Sequence, residues 1–501
     1  MEKMTKHSLT TIITFGFIFL WTADTGAILQ EPQKLARAYE DLEKHFGSNA
    51  PKDEDLVLLT RRTTHPDAQW FPDAGLGLFM HFNLPSVHPR GGSSWSCFTR
   101  QANPGANSHS LQEFWDLADN WNPEKYEPDK WMKAAKAAGF KYAVLTAKTH
   151  VGYGLWPSQY GRMSTKQYMN SRDLLRPYVE ACRKNGIKVG FYFSGFDWHF
   201  EREYINFFQS RGSLFSFDYF GRPEESSDRK DVLFLNYKHE LVEKLPERPE
   251  GWAAQFAEFS RGQTFEILNN YGPIDLWWWD GGGDVTTEEI RKIQPSIVIN
   301  NRAGGGDYVT PETFGQFDYD YIKYAREKGW WIELCEIWTH GSWHYDNQKE
   351  NGQARGEQLN DTGWVLYLLA LCRCWDSNLL LNVGPRPDGQ MPRQFYEKCA
   401  EMAEWMKHSG ESVSGITGGG PFPERSNVPI TIRNNTWYFH PDYRRQTWDK
   451  PIVVQEVGKP VTVKLLRTGA PLNYSHVKGT LKILIPKDMR TDLTDVVAVQ
   501  F

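Results

Sequence analysis

The sequence predicts an α/β fold, a (β/α)8-like barrel followed by a smaller C-terminal β-sandwich. Strand-like apolar runs alternate with amphipathic helical patterns over residues 67–420, which indicates parallel strands. Each run ends in polar, aromatic or acidic residues, as expected where one barrel face collects the chemistry. The first strand is followed by no glycine-rich nucleotide loop, and this favours a barrel over an open sheet. Residues 421–501 carry only short strand-like runs separated by turns, a pattern typical of a β-sandwich.

The N-terminal residues indicate export. Lys3 and Lys6 precede the apolar segment Leu9–Trp21, and small residues follow it. This is the layout of a secretory signal peptide, so we expect removal of residues 1–27 and a periplasmic or extracellular protein. The apolar segment is shorter than a membrane-spanning helix, so we expect no span after signal removal. Residues 28–66 show no chemical motif and are predicted to form a helical or extended segment.

The composition narrows the class of ligand. A net charge of −5 gives no indication of a nucleic-acid partner or an anionic membrane surface. The chain contains 21 Trp, 22 Tyr and 29 Phe, a set that fits a protein that stacks sugars on aromatic faces. Its six cysteines show no metal-ligand spacing. We therefore expect neither a metal nor another cofactor.

Seven apolar runs are predicted as barrel strands: Gly75–Phe82, Phe140–Lys148, Gly186–Phe193, Ile274–Trp279, Ser296–Asn300, Trp330–Cys335 and Asn378–Val383. Three helical patterns lie between them: Asp129–Gly139, Ser171–Asn185 and Trp252–Asn270. In the C-terminal part, the predicted strands are Val428–Ile432, Thr436–His440, Ile452–Val457, Val461–Leu466, Thr480–Ile485 and Val496–Phe501. The glycine-rich stretch Gly418–Pro423 is the predicted linker.

Asp280 is the candidate nucleophile. It ends the Trp-rich strand in YGPIDLWWWDGGGD and is followed by three glycines. A carboxylate at the C-terminal end of a barrel strand, next to indole rings, stands where active sites are built. Glycines beside it allow close approach of backbone and ligand. The alternative is an Asp that caps the next turn.

A nucleophilic carboxylate in a protein that stacks sugars suggests a glycosidase. Such an enzyme needs a second carboxyl group, which protonates the leaving oxygen. Glu333 and Glu336 lie within and at the end of one strand-like run, and Asp284 follows the glycines. Because side chains alternate along a strand, Glu333 and Glu336 are expected on opposite faces, with only one directed at the barrel mouth.

Six ordered motifs resemble glycoside hydrolase family 29, the retaining α-L-fucosidases: GLGLFMHF, KYAVLTAKTHVGYGLWPS, KVGFYFSGFDW, DLWWWDGG, IELCEIWTHGSWHY and NLLLNVGPRPDGQMP. The resemblance runs from about Trp70 to the C-terminus and identifies the chain as a divergent member. It implies an exo-acting glycosidase that releases a terminal α-L-fucosyl residue from an oligosaccharide or glycoconjugate. It also implies a covalent glycosyl-enzyme, an Asp nucleophile and a Glu acid/base.

Carried over by motif, Asp280 matches the family nucleophile, and Glu333, two residues before Cys335, matches the Glu of the W-E-x-C segment. Ile332 replaces the Trp of that segment. Five further residues match sugar-contacting positions of the family: His81, Trp95, His150, Tyr192 and Arg302.

Two departures from the family pattern bear on substrate identity. His81-Phe82-Asn83 stands in place of a His-Trp-Gly triplet, and Thr149 stands in place of the first of two adjacent histidines. The alternatives are therefore a related enzyme for α-L-galactosides and, from another class, an inactive carbohydrate-binding barrel.

Overall fold

The structure is a computed structural model that describes residues 62–89, 91–94, 110–204, 207–210, 213–216, 233–240, 242, 246–303, 305–441 and 450–501. The predicted signal peptide, most of the 28–66 segment, and Trp95 lie outside these residues. In the described part of the chain, no helix is both long and apolar enough to cross a membrane.

Eight parallel strands form the main sheet: β1 Leu76–Met80, β2 Tyr142–Lys148, β3 Lys188–Ser194, β4 Leu276–Asp280, β5 Val298–Ile299, β6 Tyr308–Val309, β7 Trp331–Ile337 and β8 Ser377–Asn382. Their order is β5-β4-β3-β2-β1-β8-β7-β6. An isolated parallel bridge between Asn300 and Tyr308 joins the two ends of this sheet. The sheet therefore closes into a barrel. Seven of its strands match the predicted runs, whereas β6 was not predicted.

The helices of the described residues are α1 Leu84–Val87, α2 Leu111–Asp116, α3 Pro128–Ala137, α4 Thr165–Tyr168, α5 Leu175–Lys184, α6 Trp252–Asn270, α7 Thr287–Ile293, α8 Thr313–Gln316, α9 Tyr319–Glu327, α10 Thr362–Cys374 and α11 Arg393–Ser409. Helices connect most successive strands. β5 differs, because the 3₁₀ turn Asn301–Ala303 follows it where an α-helix would be expected. Between β3 and α6 lies a small antiparallel sheet of Phe207–Ser210, Ser213–Ser216 and Leu233–Leu235, which was also not predicted.

Alternation along β4 divides its three tryptophans between two cores. Trp277 and Trp279 pack in the large core that includes the surrounding helices. Trp278 points the other way, into a smaller core that fills the barrel interior with Phe79 and Tyr192. Phe71, in a turn that precedes β1, belongs to the same interior core. The interior is therefore packed, and a substrate can reach only the strand ends.

The C-terminal strands are β9 Gly418–Gly419, β10 Ile430–Arg433, β11 Thr436–Phe439, β12 Ile452–Val454, β13 Thr462–Leu465, β14 Tyr474–Val477, β15 Thr480–Ile483 and β16 Val497–Gln500. They form a five-stranded sheet, β9-β10-β11-β16-β13, and a three-stranded sheet, β12-β15-β14. Apolar side chains from both sheets share one core. The predicted fold class, a (β/α)8-like barrel with a C-terminal β-sandwich, is confirmed.

The expected linker differs from the structure at its first residues. Gly418–Gly419 pairs with β10 as the edge strand of the larger sheet. A Cβ atom on Gly419 would lie 1.7 Å from the carbonyl oxygen of Cys374. Glycine is therefore needed here for close contact between the sheet and α10, rather than for a flexible connection.

Candidate active site

Asp280 ends β4, and its carboxylate lies where the C-terminal ends of the barrel strands meet. The Tyr192 hydroxyl donates to Oδ2 at 2.7 Å, and Nε2 of His150 lies 3.3 Å from the same oxygen. Nη1 of Arg302 lies 3.3 Å from Oδ1. Burial would raise the pKa of Asp280, but the hydrogen bond and charge of His150, the charge of Arg302 and the Tyr192 hydrogen bond hold it well below its usual range. Asp280 is therefore an ionised carboxylate.

Glycines bring the ends of β3 and β4 close together beside Asp280. The Gly195 N–H donates to the carbonyl of Asp280 at 2.8 Å. A Cβ atom on Gly195 would lie 2.2 Å from the carbonyl oxygen of Gly282. Gly281 adopts a φ of 71°, which favours glycine.

Arg302 connects Asp280 to a second carboxylate, Glu312. Its Nη1 atom contacts both Oδ1 of Asp280 and Oε1 of Glu312. Nη2 donates to the carbonyl of Thr310 at 3.0 Å, and the guanidinium lies 4.4 Å from the centroid of the Trp278 ring. The Glu312 side chain is 32% exposed. Glu312 is thus accessible to solvent and adjacent to Asp280.

The connection between β5 and β6 fixes these two groups. The side chain of Asn300 pairs with the backbone of Trp279, accepting from its N–H and donating to its carbonyl, both at 2.9 Å. The buried carboxylate of Asp307 accepts from the Ile299 N–H at 2.8 Å and from Arg291 at 2.5 Å. Arg302 lies within this anchored connection, and Glu312 follows β6 just beyond it.

Glu333 lies in the barrel interior with no exposed surface. Its carboxylate accepts from the Tyr142 hydroxyl at 2.6 Å and from the Trp278 indole at 3.1 Å. In register it is opposite Asn378, near the start of β8, whereas Asp280 is at the end of its own strand. Burial raises the pKa of Glu333 to about 7 despite these hydrogen bonds. This deep position differs from the barrel-mouth position expected of a proton donor.

The other acidic candidates are not part of the Asp280 cluster. Glu336 faces away from the barrel interior, opposite to Glu333, and accepts from the N–H groups of Phe314 and Ile337 at 2.6 and 2.8 Å. Asp284 lies in the loop before α7, where its carbonyl accepts from Arg261. Within the described residues, no group of three His, Cys, Asp or Glu side chains could hold a metal ion.

The described sugar-binding candidates surround Asp280. Tyr192, His150 and Arg302 contact its carboxylate, and the His81 ring packs 5.4 Å from the Tyr192 ring. Nδ1 of His81 lies 2.7 Å from Oδ1 of Asn382. Burial lowers the pKa of His81 to about 4, so its ring is neutral at physiological pH. The structure therefore brings together four of the five predicted binding residues, and the fifth, Trp95, is not described.

Sequence patterns did not single out Glu312. It follows Pro311, just beyond the two-residue strand β6, in GDYVTPE. The available signal was its position as an acidic residue after a short apolar pair, which is the same argument that identified Asp280.

Comparison with known proteins identifies the family of this chain. The model of the Alpha-L-fucosidase family matches residues 58–411. The alpha-L-fucosidase of Branchiostoma floridae is 25% identical over 437 residues, which cover 83% of this chain and 88% of that protein. Tissue alpha-L-fucosidase of Bos taurus is 25% identical over 391 residues, covering 75% and 73%. The solved structure of alpha-L-fucosidase isoenzyme 1 from Paenibacillus thiaminolyticus is 26% identical, with a TM-score of 0.64 over 87% of this chain and 98% of that one.

The family match spans the barrel, including the strand ends that carry Asp280, Arg302 and Glu312. This chain belongs to the alpha-L-fucosidase family and is a glycoside hydrolase.

Proposed function

We propose that this protein is an exported, retaining exo-glycosidase that hydrolyses terminal α-L-fucosyl residues of oligosaccharides or glycoconjugates. The observation that carries the retaining chemistry is the contact of one nitrogen, Nη1 of Arg302, with oxygens of both Asp280 and Glu312. Oxygens that share one nitrogen lie at most about 6 Å apart. Nearest oxygens this close favour the ~5–5.5 Å separation of carboxyl groups in retaining glycosidases over the ~6.5–9.5 Å separation in inverting ones.

Asp280 is the proposed nucleophile. It is ionised, and its oxygens are held by Tyr192, His150 and Arg302 at the end of β4. In the first step one oxygen attacks the anomeric carbon, and the bond from that carbon to the leaving oxygen breaks. The leaving oxygen receives a proton from a carboxylic acid as a covalent glycosyl-enzyme forms.

Glu312, rather than Glu333, is the proposed acid/base. Proton transfer requires a group within hydrogen-bond reach of the reacting oxygen. Glu312 is partly exposed beside Asp280, whereas Glu333 is enclosed and lies against the Trp278 indole. In the second step the Glu312 carboxylate removes a proton from water, which attacks the anomeric carbon and releases Asp280. Two inversions give net retention.

The fucosyl substrate is supported by membership of the family and by the motifs that cover the strand ends. Export is proposed on the N-terminal pattern of Lys3, Lys6 and Leu9–Trp21. A nucleic-acid partner is not part of the proposal, because the net charge is −5.

Turnover of an aryl α-L-fucoside, followed by ¹H NMR, tests the reaction. The first sugar product should be α-L-fucose, which then mutarotates. Asp280→Asn should lower kcat by several orders of magnitude, because the covalent route is lost. A β-L-fucose first product would contradict retention, and no turnover of α-L-fucosides would contradict the proposed activity and favour a binding role.

Azide distinguishes the two carboxylate roles by stereochemistry. Glu312→Ala should still form the glycosyl-enzyme from activated aryl fucosides, and azide should then yield α-L-fucosyl azide. Asp280→Gly leaves the opposite face open to azide, so β-L-fucosyl azide is expected. Glu333→Ala is the matched control and should yield no azide adduct. If Glu333→Ala gives the α-azide and Glu312→Ala does not, Glu333 is the acid/base.

A further inference from the structure

His344 is a buried histidine whose ring is not hydrogen-bonded by the described residues. It lies in the loop after β7, and its side chain and backbone together are 2% exposed. Within the described part of the chain, neither Nδ1 nor Nε2 has a hydrogen-bond partner. The backbone around it is well anchored, since its N–H donates to the carbonyl of Gly92 at 2.9 Å and it forms a bridge with His81.

The ring of His344 borders the site around Asp280. It packs edge-to-face on the His81 ring, with 5.3 Å between centroids. His81 in turn packs against Tyr192, whose hydroxyl donates to Asp280. A continuous row of side chains thus connects His344 to the candidate nucleophile.

Leaving such a ring without partners is unfavourable. A buried donor or acceptor that lacks a hydrogen bond destabilises the fold, and His344 has two such atoms. A packing role alone would be served better by an apolar ring of the same size. A ligand that supplies the missing partners accounts for a polar ring in this place.

The electrostatic surroundings determine what that ligand group can be. Burial, together with the nearby His81 and His150 rings, keeps the pKa of His344 well below its usual range, so the ring is neutral. A neutral imidazole offers one donor and one acceptor. A sugar hydroxyl, which can both donate and accept, is complementary to it, whereas a charged phosphate or carboxylate would gain no ion pair.

We propose that His344 hydrogen-bonds a hydroxyl group of the sugar held at Asp280 and thereby helps to select the substrate. This inference rests on the proposed function for the identity of the sugar. Thr149, which is 1% exposed and follows β2 beside His150, has a hydroxyl that is also without a partner among the described residues. A second polar group without a partner therefore lies next to His150, which contacts Asp280.

The test is direct sugar binding, because it does not depend on turnover. Calorimetry should compare wild type and His344→Phe with L-fucose, its 2-, 3- and 4-deoxy analogues, and L-galactose, which adds a hydroxyl at C6. We expect His344→Phe to weaken binding of L-fucose by about 10- to 100-fold. The deoxy analogue that lacks the hydroxyl bound by His344 should bind wild type and His344→Phe equally, because the hydrogen bond is absent in both complexes. If the partner is instead the C6 hydroxyl, which only L-galactose carries, His344→Phe should weaken L-galactose alone and leave L-fucose unchanged.

His440→Phe is a matched control. His440 is also fully buried and has one ring nitrogen without a partner in the described residues, but it lies after β11 in the C-terminal sandwich. Its substitution should leave all sugar affinities unchanged. The inference is overturned if His344→Phe weakens every sugar by one common factor or leaves all affinities unchanged. If wild type binds L-fucose in a His344-dependent way but does not hydrolyse aryl fucosides, only the proposed function is contradicted.

Discussion

Asp280 and Glu333, two carboxylates of the same barrel, have opposite pKa shifts. Asp280 faces cationic or ring N–H groups of Arg302 and His150 and stays ionised. Glu333 has neutral donors, the Tyr142 hydroxyl and the Trp278 indole, in an enclosed space. Neutral donors compensate only part of the desolvation, so the pKa of Glu333 rises to about 7. The type of donor, rather than burial alone, therefore decides which group can act as a nucleophile.

Glu333→Gln should change the pH dependence of stability. The folded pKa of about 7 exceeds the unfolded value of about 4.3. Between these values the folded state binds more protons, so the contribution of Glu333 to stability is present below about pH 4 and is lost as the pH rises towards 7. The free energy of unfolding of wild type, relative to Glu333→Gln, should fall by about 3 kcal/mol across this window. Urea unfolding at several pH values measures it, and parallel profiles would contradict it.

At the residue scale, the sequence predicts side chains on long strands better than side chains on short ones. Asp280 and Tyr192 could be predicted as site residues because β3 and β4 show clear apolar runs with a polar end. Glu312 was missed because β6 has two residues, too few for a periodic signal. For Glu333, alternation correctly predicted the face, but not the depth, since depth depends on the stagger between neighbouring strands.

At the element scale, a buried ion pair couples the ends of β2 and β3. Nζ of Lys148 lies 3.2 Å from Oδ2 of Asp197, and both side chains are almost completely buried. Oδ1 of Asp197 accepts from the Phe200 N–H at 2.8 Å. The neighbouring Trp198 N–H donates to the carbonyl of His150 at 2.8 Å. The pair thus holds the loop after β3 against the backbone of His150.

Lys148→Met should destabilise the fold by about 3–5 kcal/mol, because it leaves the buried Asp197 charge without its cation. The double variant Lys148→Met/Asp197→Asn removes that charge while retaining an oxygen for the Phe200 N–H, so it should recover much of the loss. Urea unfolding of the single and double variants tests this coupling. Equal unfolding free energies of Lys148→Met and wild type, or strictly additive effects, would contradict it.

Helices and strands could be predicted from the sequence where burial requires a long run or a regular spacing of apolar residues. The Trp-rich strand β4 was predicted because both of its faces are covered, which gives a continuous apolar run. The boundaries of α3, α5 and α6 are close to the predicted ones. β9 and β14 were missed for local reasons. β9 is a glycine pair, and β14 carries mostly exposed side chains at the edge of its sheet, so neither shows apolar alternation.

At the scale of the whole molecule, the barrel and the sandwich share packed contacts. The Trp405 indole on α11 donates to the carbonyl of Thr494 at 2.8 Å, and the Thr494 hydroxyl donates to the carbonyl of Gly363 at 3.2 Å. The Trp375 ring stacks on Phe422 and donates to its carbonyl at 3.1 Å. The core around the barrel continues into side chains of the larger C-terminal sheet. The two parts are therefore expected to unfold together.

Trp405→Ala should lower the free energy of unfolding by about 3–5 kcal/mol, because it leaves a large cavity and removes a buried hydrogen bond. Calorimetry should show one transition for wild type and for the variant, shifted to lower temperature in the latter. Two separate transitions in wild type would contradict a shared core.

The closure of the barrel has a consequence for its motions. β5 and β6 contribute two residues each, and the bridge from Asn300 to Tyr308 joins them. Few backbone hydrogen bonds join the two strands, so we expect the opening fluctuations of the barrel wall to be largest between them. Arg302 lies between the two strands and Glu312 just beyond the second. We therefore expect local opening between β5 and β6, limited by the Asn300 and Asp307 hydrogen bonds, to change the distance between the two candidate catalytic carboxylates.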